Sequence, residues 1–486
     1  MFSFYSRPDT MATTLHALHV ALGPVFRLPF GIRTVLFTAD PADCARIVGR
    51  PAEWPRSPAQ RAVMEVSAPG GLFVMPRSAH AVVRRSLRGV FGPALLPAFW
   101  PAGDGGNGLG AVVDVSAAFS ETAYRLIFRV AFGAPFDAAQ MRRATDASTA
   151  LIFQMMVDFV GYPIRQSPLL APLGLRAGIQ AAAAELRTLY REILVARRAE
   201  APSAAAARPP DLLDMLLDVP EAGAPADSVA DIETAISNAI VFGAAGGTTS
   251  ADVAAWSVYH IACCPDATAA VGAEVAALDA DTPPGGPARP LALDDLGRLP
   301  YLRAVWKESL RLTPPGLFFE RVASRDTVLP GSGVRVRAGT LVAAFAAGAA
   351  RDPAVWERPL DFLPARWLPG GSAVAPGGAA GGTGGAGGGG GGGGGSVPPA
   401  GAYIPFSVGP ENCAGTFLAD AEGVAMLATL YRAYEVTLAV PPDAVRSVVG
   451  WTHRAGSAAP GGKPGNADRG VPVRLTPRRR GAVGGC

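Results

Sequence analysis

Phe406-Ser407-Val408-Gly409-Pro410-Glu411-Asn412-Cys413-Ala414-Gly415 sets one cysteine in a stiff loop punctuated by glycine and proline. A mostly apolar stretch with helical spacing follows, from Gly415 to Tyr434. A thiol at the mouth of a helix has its thiolate favoured by backbone N–H groups and the helix dipole. Gly409 and Gly415 would let the backbone pass close to something large and flat, as a thiolate approaching a metal macrocycle along its normal requires. A lone cysteine among apolar residues is also, more often than not, a small buried hydrophobe. Other stretches have to decide between the two.

Glu308-Ser309-Leu310-Arg311 is the first of them, in an apolar setting of Leu302, Val305, Leu310 and Leu312. Glu308 and Arg311 are three apart and share a helix face. The setting points to a buried pair rather than a solvated one. Downstream, Arg366 stands between Pro364 and Trp367. A second arginine would satisfy more of the Glu308 lone pairs than one alone. In the middle of a long helical pattern, Val229 to Cys264, lies Ala245-Gly246-Gly247-Thr248-Thr249-Ser250. Glycine and hydroxyl residues are poor helix formers. They mark either a local opening that admits a small ligand or a close helix–helix contact.

The bulk composition is compatible with all of this. The 486 residues are 49% hydrophobic and only 17% charged, which describes a globular chain with a large core. A net charge of +3 gives no ground for nucleic-acid binding. Five cysteines, two of them adjacent (Cys263 and Cys264), make no disulfide framework and suit a reducing compartment. No Cys-x-x-Cys or His-x-x-x-His pair offers a zinc site. The first twenty residues lack the usual form of a signal peptide, and the uncharged run Thr234 to Ala251 is too polar for a membrane span.

Along the chain, strands are expected at 26–28 and 34–38, with a turn at Gly31. Helices are expected from Asp40-Pro41 to Val48 and over 79–91, 112–132, 137–161, 176–200, 211–217 and 298–312. Residues 321–345 alternate like strands. Gly370 to Ala402 is low in complexity, and 371–399 reads as a disordered, dispensable insertion within a single domain spanning 1–486.

Taken together and in this order, these stretches resemble the cytochrome P450 family of haem-thiolate proteins. The resemblance covers nearly the whole chain, from Gly23-Pro24-Val25-Phe26-Arg27-Leu28 to Val471-Pro472-Val473-Arg474. It implies a mainly α fold with a small β-rich lobe, and haem b (iron protoporphyrin IX) between the long central helix and the cysteine loop. It makes Cys413 the axial ligand of the iron, with Phe406, Gly409 and Gly415 beside the haem. Glu308, Arg311 and Arg366 become the structural network behind it, and Arg84 and Arg321 partners of the propionates. His80 lies four residues before Arg84, where it could donate to a propionate. Thr249, flanked by Thr248 and Ser250, becomes the helix alcohol that relays protons.

The implied activity is a monooxygenase. It inserts one atom of O2 into a lipophilic small molecule, with electrons that reach it from NADPH through a reductase or ferredoxin. Substrate contacts are expected at 316–319, at Val241 and Phe242, and at Leu151, Phe153, Met155 and Met156. Two departures from the family pattern bear on this. Glu411 stands where an Arg or His usually meets a propionate, so it is expected either to face solvent or to weaken haem binding. Thr248 stands where an acid usually helps bring in protons. Two alternatives follow from them: a reductase-independent isomerase or dehydratase acting on a hydroperoxide, or a catalytically degenerate member that holds haem weakly. With no anchor helix and only some twenty residues ahead of Gly23, three states stay open: a soluble chain, a chain truncated at its start, or one held to a membrane by peripheral contact of its surface, for which a cytosol-facing endoplasmic-reticulum surface and a plastid are the candidate locations.

Overall fold

In a computed structural model of the protein, the described residues are 11–30, 32–75, 77–86, 112–133, 136–199, 211–217, 232–279, 289–371, 398–449, 452–457 and 470–478. The glycine-rich insertion falls almost wholly outside them, as do the turn residue Gly31 and the second half of the helix expected over 79–91.

The N-terminal third contains α1 (Met11–Leu22), β1 (Val25–Phe30), β2 (Arg33–Thr38), α2 (Pro41–Gly49), α3 (Pro58–Ser67) and α4 (Arg77–Ser86). Asp40 caps α2 by accepting from the Asp43 N–H (3.0 Å), with Pro41 in the first turn. Ser57 caps α3 from Gln60 (3.2 Å) in the same way. Then come β3 (Val112–Asp114), α5 (Val115–Phe132), α6 (Ala138–Val160), α7 (Ala177–Arg198) and α8 (Leu212–Leu217). The helix expected over 112–132 thus begins with a short strand. Its partner is β11 (Pro472–Pro477), some 360 residues away in sequence, so no local signal marks it.

The centre is α9 (Ile232–Ala262), about 46 Å long at 1.5 Å per residue. It is apolar nearly all round and buried along most of its length, as a core helix must be. α9 bends sharply into α10 (Pro265–Leu278) at Cys263-Cys264. Among the described residues, no single helix is long and apolar enough to cross a membrane.

The glycines of α9 explain its closest contact. A Cβ on Gly247 would sit 2.2 Å from the Tyr124 ring, and one on Gly246 would sit 2.7 Å from Ile127, both on α5. α9 is an unbroken α-helix here, so these glycines mark helix–helix packing and not a local opening. Gly247→Ala gains helix propensity but must displace a ring that is 1% exposed. We expect a net loss of about 1–3 kcal/mol. Urea denaturation of the variant checks this, and an unchanged midpoint would refute the packing argument.

The C-terminal half contains α11 (Pro300–Leu312), β4 (Phe319–Val322), β5 (Thr327–Val328), β6 (Arg335–Val336), β7 (Leu341–Ala344), α12 (Thr416–Ala433), β8 (Tyr434–Leu438), β9 (Val445–Val449), β10 (His453–Ser457) and β11. One four-stranded sheet has the order β1-β2-β7-β4, with β2 and β7 parallel and the other pairs antiparallel. β9 and β10 form a hairpin, and β3, β11 and β8 form a third sheet. The sheet strands and α2 pack a smaller core of their own around Trp54, Ile47 and Val342. The molecule is thus mainly helical with a β-rich lobe, as expected.

Candidate active site

The cysteine loop is closed by its backbone. The Cys413 N–H donates to the Phe406 carbonyl (2.9 Å) and the Asn412 N–H to Gly409 (3.2 Å). Gly409 has φ +81°, and a Cβ there would lie 2.8 Å from the Gly49 carbonyl. Glycine is therefore demanded by the end of α2 rather than by a flat ligand. A Cβ on Gly415, in contrast, would meet nothing within 4 Å. That open flank, just ahead of α12, is the side on which a broad group could approach.

Cys413 itself is exposed, so its sulfur is accessible to a ligand. Burial pushes its thiol up from the ordinary value. A hydrogen bond from the Gly415 backbone, the Arg84 charge and the Thr416 hydroxyl act the other way. Phe406 packs half-buried against the main core.

Glu308 and Arg311 on α11 are both fully buried. Arg311 Nε donates to Glu308 Oε2 (2.9 Å) and Nη2 to Oε1 (2.8 Å), a bidentate pair. Arg366 Nε (3.1 Å) and the Leu363 N–H (3.0 Å) add donors to Oε1, and Trp367 Nε1 (2.8 Å) adds one to Oε2. The remaining Arg311 donors hold the carbonyls of Ala350, Pro359 and Asp361. The expected triad is present, and Trp367 joins it. Burial alone would raise the Glu308 carboxyl, but the hydrogen bonds and charges of Arg311 and Arg366 outweigh it and hold the carboxyl low.

Of the two expectations for Glu411, exposure to solvent is not met, since its side chain is 14% exposed. Its Oε2 lies 3.2 Å from Arg56 and 3.8 Å from the buried Arg321. Arg56 was not among the residues read from the sequence, where nothing marks it. The structure brings it to Arg321 by an isolated antiparallel bridge and lays it over the Phe73 ring. Burial and the Arg56 charge together lower Arg321 to about 10. Arg84 on α4 reaches the same loop through Asn412 Oδ1 (2.7 Å), and His80 is half-buried on α4. A buried guanidinium, Arg321, and a half-buried one, Arg56, thus share one carboxylate, and Arg321 Nε has no hydrogen-bond partner. This donor set fits a haem propionate. With the open face of Cys413 and the bare flank of Gly415, the residues present fit haem: Cys413 would hold its iron, and Arg56, Arg84 and Arg321 its carboxylates.

On α9, Thr248 and Thr249 bond back to the carbonyls of Ala244 (3.1 Å) and Ala245 (2.9 Å). Both line an apolar cavity of about 100 Å³ with Met64, Phe73, Leu151, Met155 and Val241. Of the expected substrate contacts, Leu151, Met155 and Val241 lie there. Phe242 is packed in the core, and Phe153 points outward at 62% exposure.

Two acids flank the hydroxyls and were missed from the sequence. Glu422 on α12 is 4% exposed and hydrogen-bonded to Ser250; burial raises it to about 8. Asp252, one turn beyond Thr248, is raised by burial to about 7, against a hydrogen bond to the pocket-lining Thr452 and the Arg454 charge. Its Oδ2 has no hydrogen-bond partner. An acid within the apolar run of α12, two residues after Asp420, was the one legible sign of Glu422.

An exposed thiol on a closed loop, a buried Glu–Arg–Arg lock, an arginine set for carboxylates and an apolar pocket under helix hydroxyls define a haem-thiolate class of site. The cytochrome P450 family model matches residues 103–450, more than two thirds of the chain, and the chain belongs to that family. It is similar to cytochrome P450 93G1 of Oryza sativa subsp. japonica (32% identity over 46% of this chain and 38% of that protein). It is also similar to cytochrome P450 monooxygenase 205 of Postia placenta (24% identity, 85% and 79%) and to sterol 14alpha-demethylase of Mycobacterium tuberculosis (31% identity, 54% and 51%). The matched segments therefore span only about two fifths of the rice protein and half of the mycobacterial one. The crystal structure of the cytochrome P450DA heme domain shares the fold with a TM-score of 0.70 at 18% identity, over 97% of this chain and 95% of that one.

Proposed function

We propose that the protein is a haem-thiolate monooxygenase that inserts one oxygen atom of O2 into a lipophilic substrate. The observation that carries this reading is the Cys413 loop, which is closed by its own backbone hydrogen bonds and presents an accessible thiol just ahead of α12. Haem b supplies the redox chemistry of O2 when bound, and the protein supplies position, access and electrostatics. Cys413 gives up its proton on ligation. The apolar walls of the cavity, Leu151, Met155 and Val241, select lipophilic molecules and exclude water.

Thr248 and Thr249 place hydroxyls on the cavity wall, and Glu422 and Asp252 stand behind them as acids that exchange protons near neutral pH. These acids take the place of the carboxylate absent at Thr248. They favour a monooxygenase over a hydroperoxide isomerase, which needs no proton supply. Electrons come from NADPH through a separate reductase or ferredoxin.

Peripheral membrane contact has its own support. Ile164 (46% exposed), Leu169 (89%) and Leu173 (67%) follow Tyr162, whose ring lies 5.7 Å from the Arg33 guanidinium next to the exposed Ile32. A cytosol-facing membrane surface is therefore the proposed location.

Reducing the haem-loaded chain and adding carbon monoxide tests the reading. The expected result is the long-wavelength Soret band of thiolate-ligated haem. A band at the shorter wavelength of a neutral ligand, or no haem uptake, would overturn it.

A further inference from the structure

Glu411 is the sharpest departure from the family pattern, and the residues packed around it give it a use. Residues 53–56 run along the free edge of β4, the last strand of its sheet. The Val322 N–H donates to the Pro55 carbonyl (2.9 Å) and the Ser324 N–H to Glu53 (3.0 Å). Arg56 and Arg321 are thereby set directly opposite each other in an antiparallel bridge. Opposed residues of such a bridge put their side chains on one face, and like charges there repel. The backbone thus forces two guanidiniums together, one 17% and one 3% exposed. Only an anion between them relieves the repulsion.

Glu411 is that anion. Its Oε2 lies 3.2 Å from Arg56 and 3.8 Å from Arg321, yet closes a hydrogen bond with neither. Arg321 Nη1 donates to the Glu320 carbonyl (3.1 Å), and Nε has no partner. The pair is therefore held by charge, and its N–H groups are not committed to Glu411. One carboxylate between two guanidiniums also leaves one positive charge uncompensated. The Arg56 guanidinium lies 4.6 Å from the centroid of the Phe73 ring, and Phe73 lines the apolar cavity. On the other side, Arg84 donates to Asn412, which stands between Glu411 and Cys413 (2.7 Å). Arg56 and Arg321 thus stand between the cavity wall and the cysteine loop.

We propose that Arg56 is a further propionate-binding residue, held ready beside Arg321 by the edge bridge, and that Glu411 is an internal stand-in carboxylate. It occupies both guanidiniums in the haem-free chain and yields them when a propionate binds. The inference rests on the haem reading given above. A carboxylate of haem can take the hydrogen bonds that Glu411 leaves open, so the exchange replaces a loose ion contact by charge-assisted bonds. Glu411 stabilises the haem-free form alone. By linkage, it lowers haem affinity by as much as it steadies the haem-free chain. The residue is thus a device for exchangeable haem and not damage to the site.

Titration of the haem-free full chain with haem b and with its dimethyl ester, followed by Soret absorbance, tests this beside thermal melts without haem. Arg56→Gln should bind haem b about tenfold more weakly than wild type, and the ester, which has no free carboxylate, equally well. Glu411→Gln should melt lower than wild type without haem and bind haem b about tenfold more tightly. Its effect on the melt should shrink when Arg56→Gln is already present, because one of the two charges it balances is gone. If Arg56→Gln does not fold, Glu411→Gln alone decides. Haem b binding by Arg56→Gln equal to wild type, or the same loss with the ester, would overturn the role of Arg56. A Glu411→Gln chain that melts like wild type, or binds haem b more weakly, would overturn the stand-in. These results leave the proposed function standing, whereas no haem uptake by the wild type would overturn both.

Discussion

Replacing Cys413 by alanine should abolish the long-wavelength Soret band of the reduced, CO-treated chain while leaving its helical content unchanged. The loop that carries Cys413 is held by backbone hydrogen bonds, Cys413 N–H to Phe406 and Asn412 N–H to Gly409, and none of these needs the thiol. The side chain has accessible surface and fills no part of the core, so its removal creates no cavity. Folding and iron ligation are thereby separable at this residue. Cys413→His should keep haem but move the band to shorter wavelength, because a neutral imidazole replaces an anionic sulfur. Circular dichroism and the difference spectrum check both variants together. A persistent long-wavelength band in Cys413→Ala would show that another thiol ligates the iron. Cys44 is the buried alternative, but burial drives its thiol far up.

Much of this site was legible because its chemistry is written locally. Glu308 and Arg311 are one helical turn apart, and Cys413 lies directly before its helix, so spacing alone puts each beside its partners. The pieces that could not be read are brought together by long-range packing. Arg56 reaches Glu411 only because residue 56 bridges residue 321, and the strand at Val112–Asp114 exists only because β11 pairs with it. Glu411, read alone, was a repulsive carboxylate; in the fold it is the counter-charge of the half-buried Arg56 and the buried Arg321. Gly246 and Gly247 were readable as either a ligand gap or a contact. The position of Tyr124 on another helix decides, and sequence spacing holds no information about it. Asp252 shows the same limit, since its raised carboxyl depends on the surrounding burial and on Thr452, two hundred residues away.

Arg311→Met should be the most destabilising of these changes, by about 3–5 kcal/mol, because it strips a partner from a buried carboxylate. Glu308 would keep Arg366, Trp367 and the Leu363 N–H but lose the bidentate pair. Three carbonyls, of Ala350, Pro359 and Asp361, would lose the Arg311 donors as well. Buried acceptors left without donors add their own cost. For this reason the double variant Glu308→Leu/Arg311→Met should recover only part of the loss: it removes the orphaned charge but not the orphaned carbonyls.

The pH dependence separates the two contributions. Arg311 and Arg366 hold the Glu308 carboxyl below its unfolded value, so the pair's stabilisation is present above the ordinary carboxylate range. It is lost as pH falls through the lowered folded value. In Arg311→Met the same burial acts with less compensation and the carboxyl shifts upward, so acid unfolding should resemble that of the wild type more closely than neutral unfolding does. Urea denaturation of wild type, single and double variants, at neutral and acid pH, measures each term. A single variant as stable as wild type at neutral pH would show that the network is not what locks the 350–367 segment to α11.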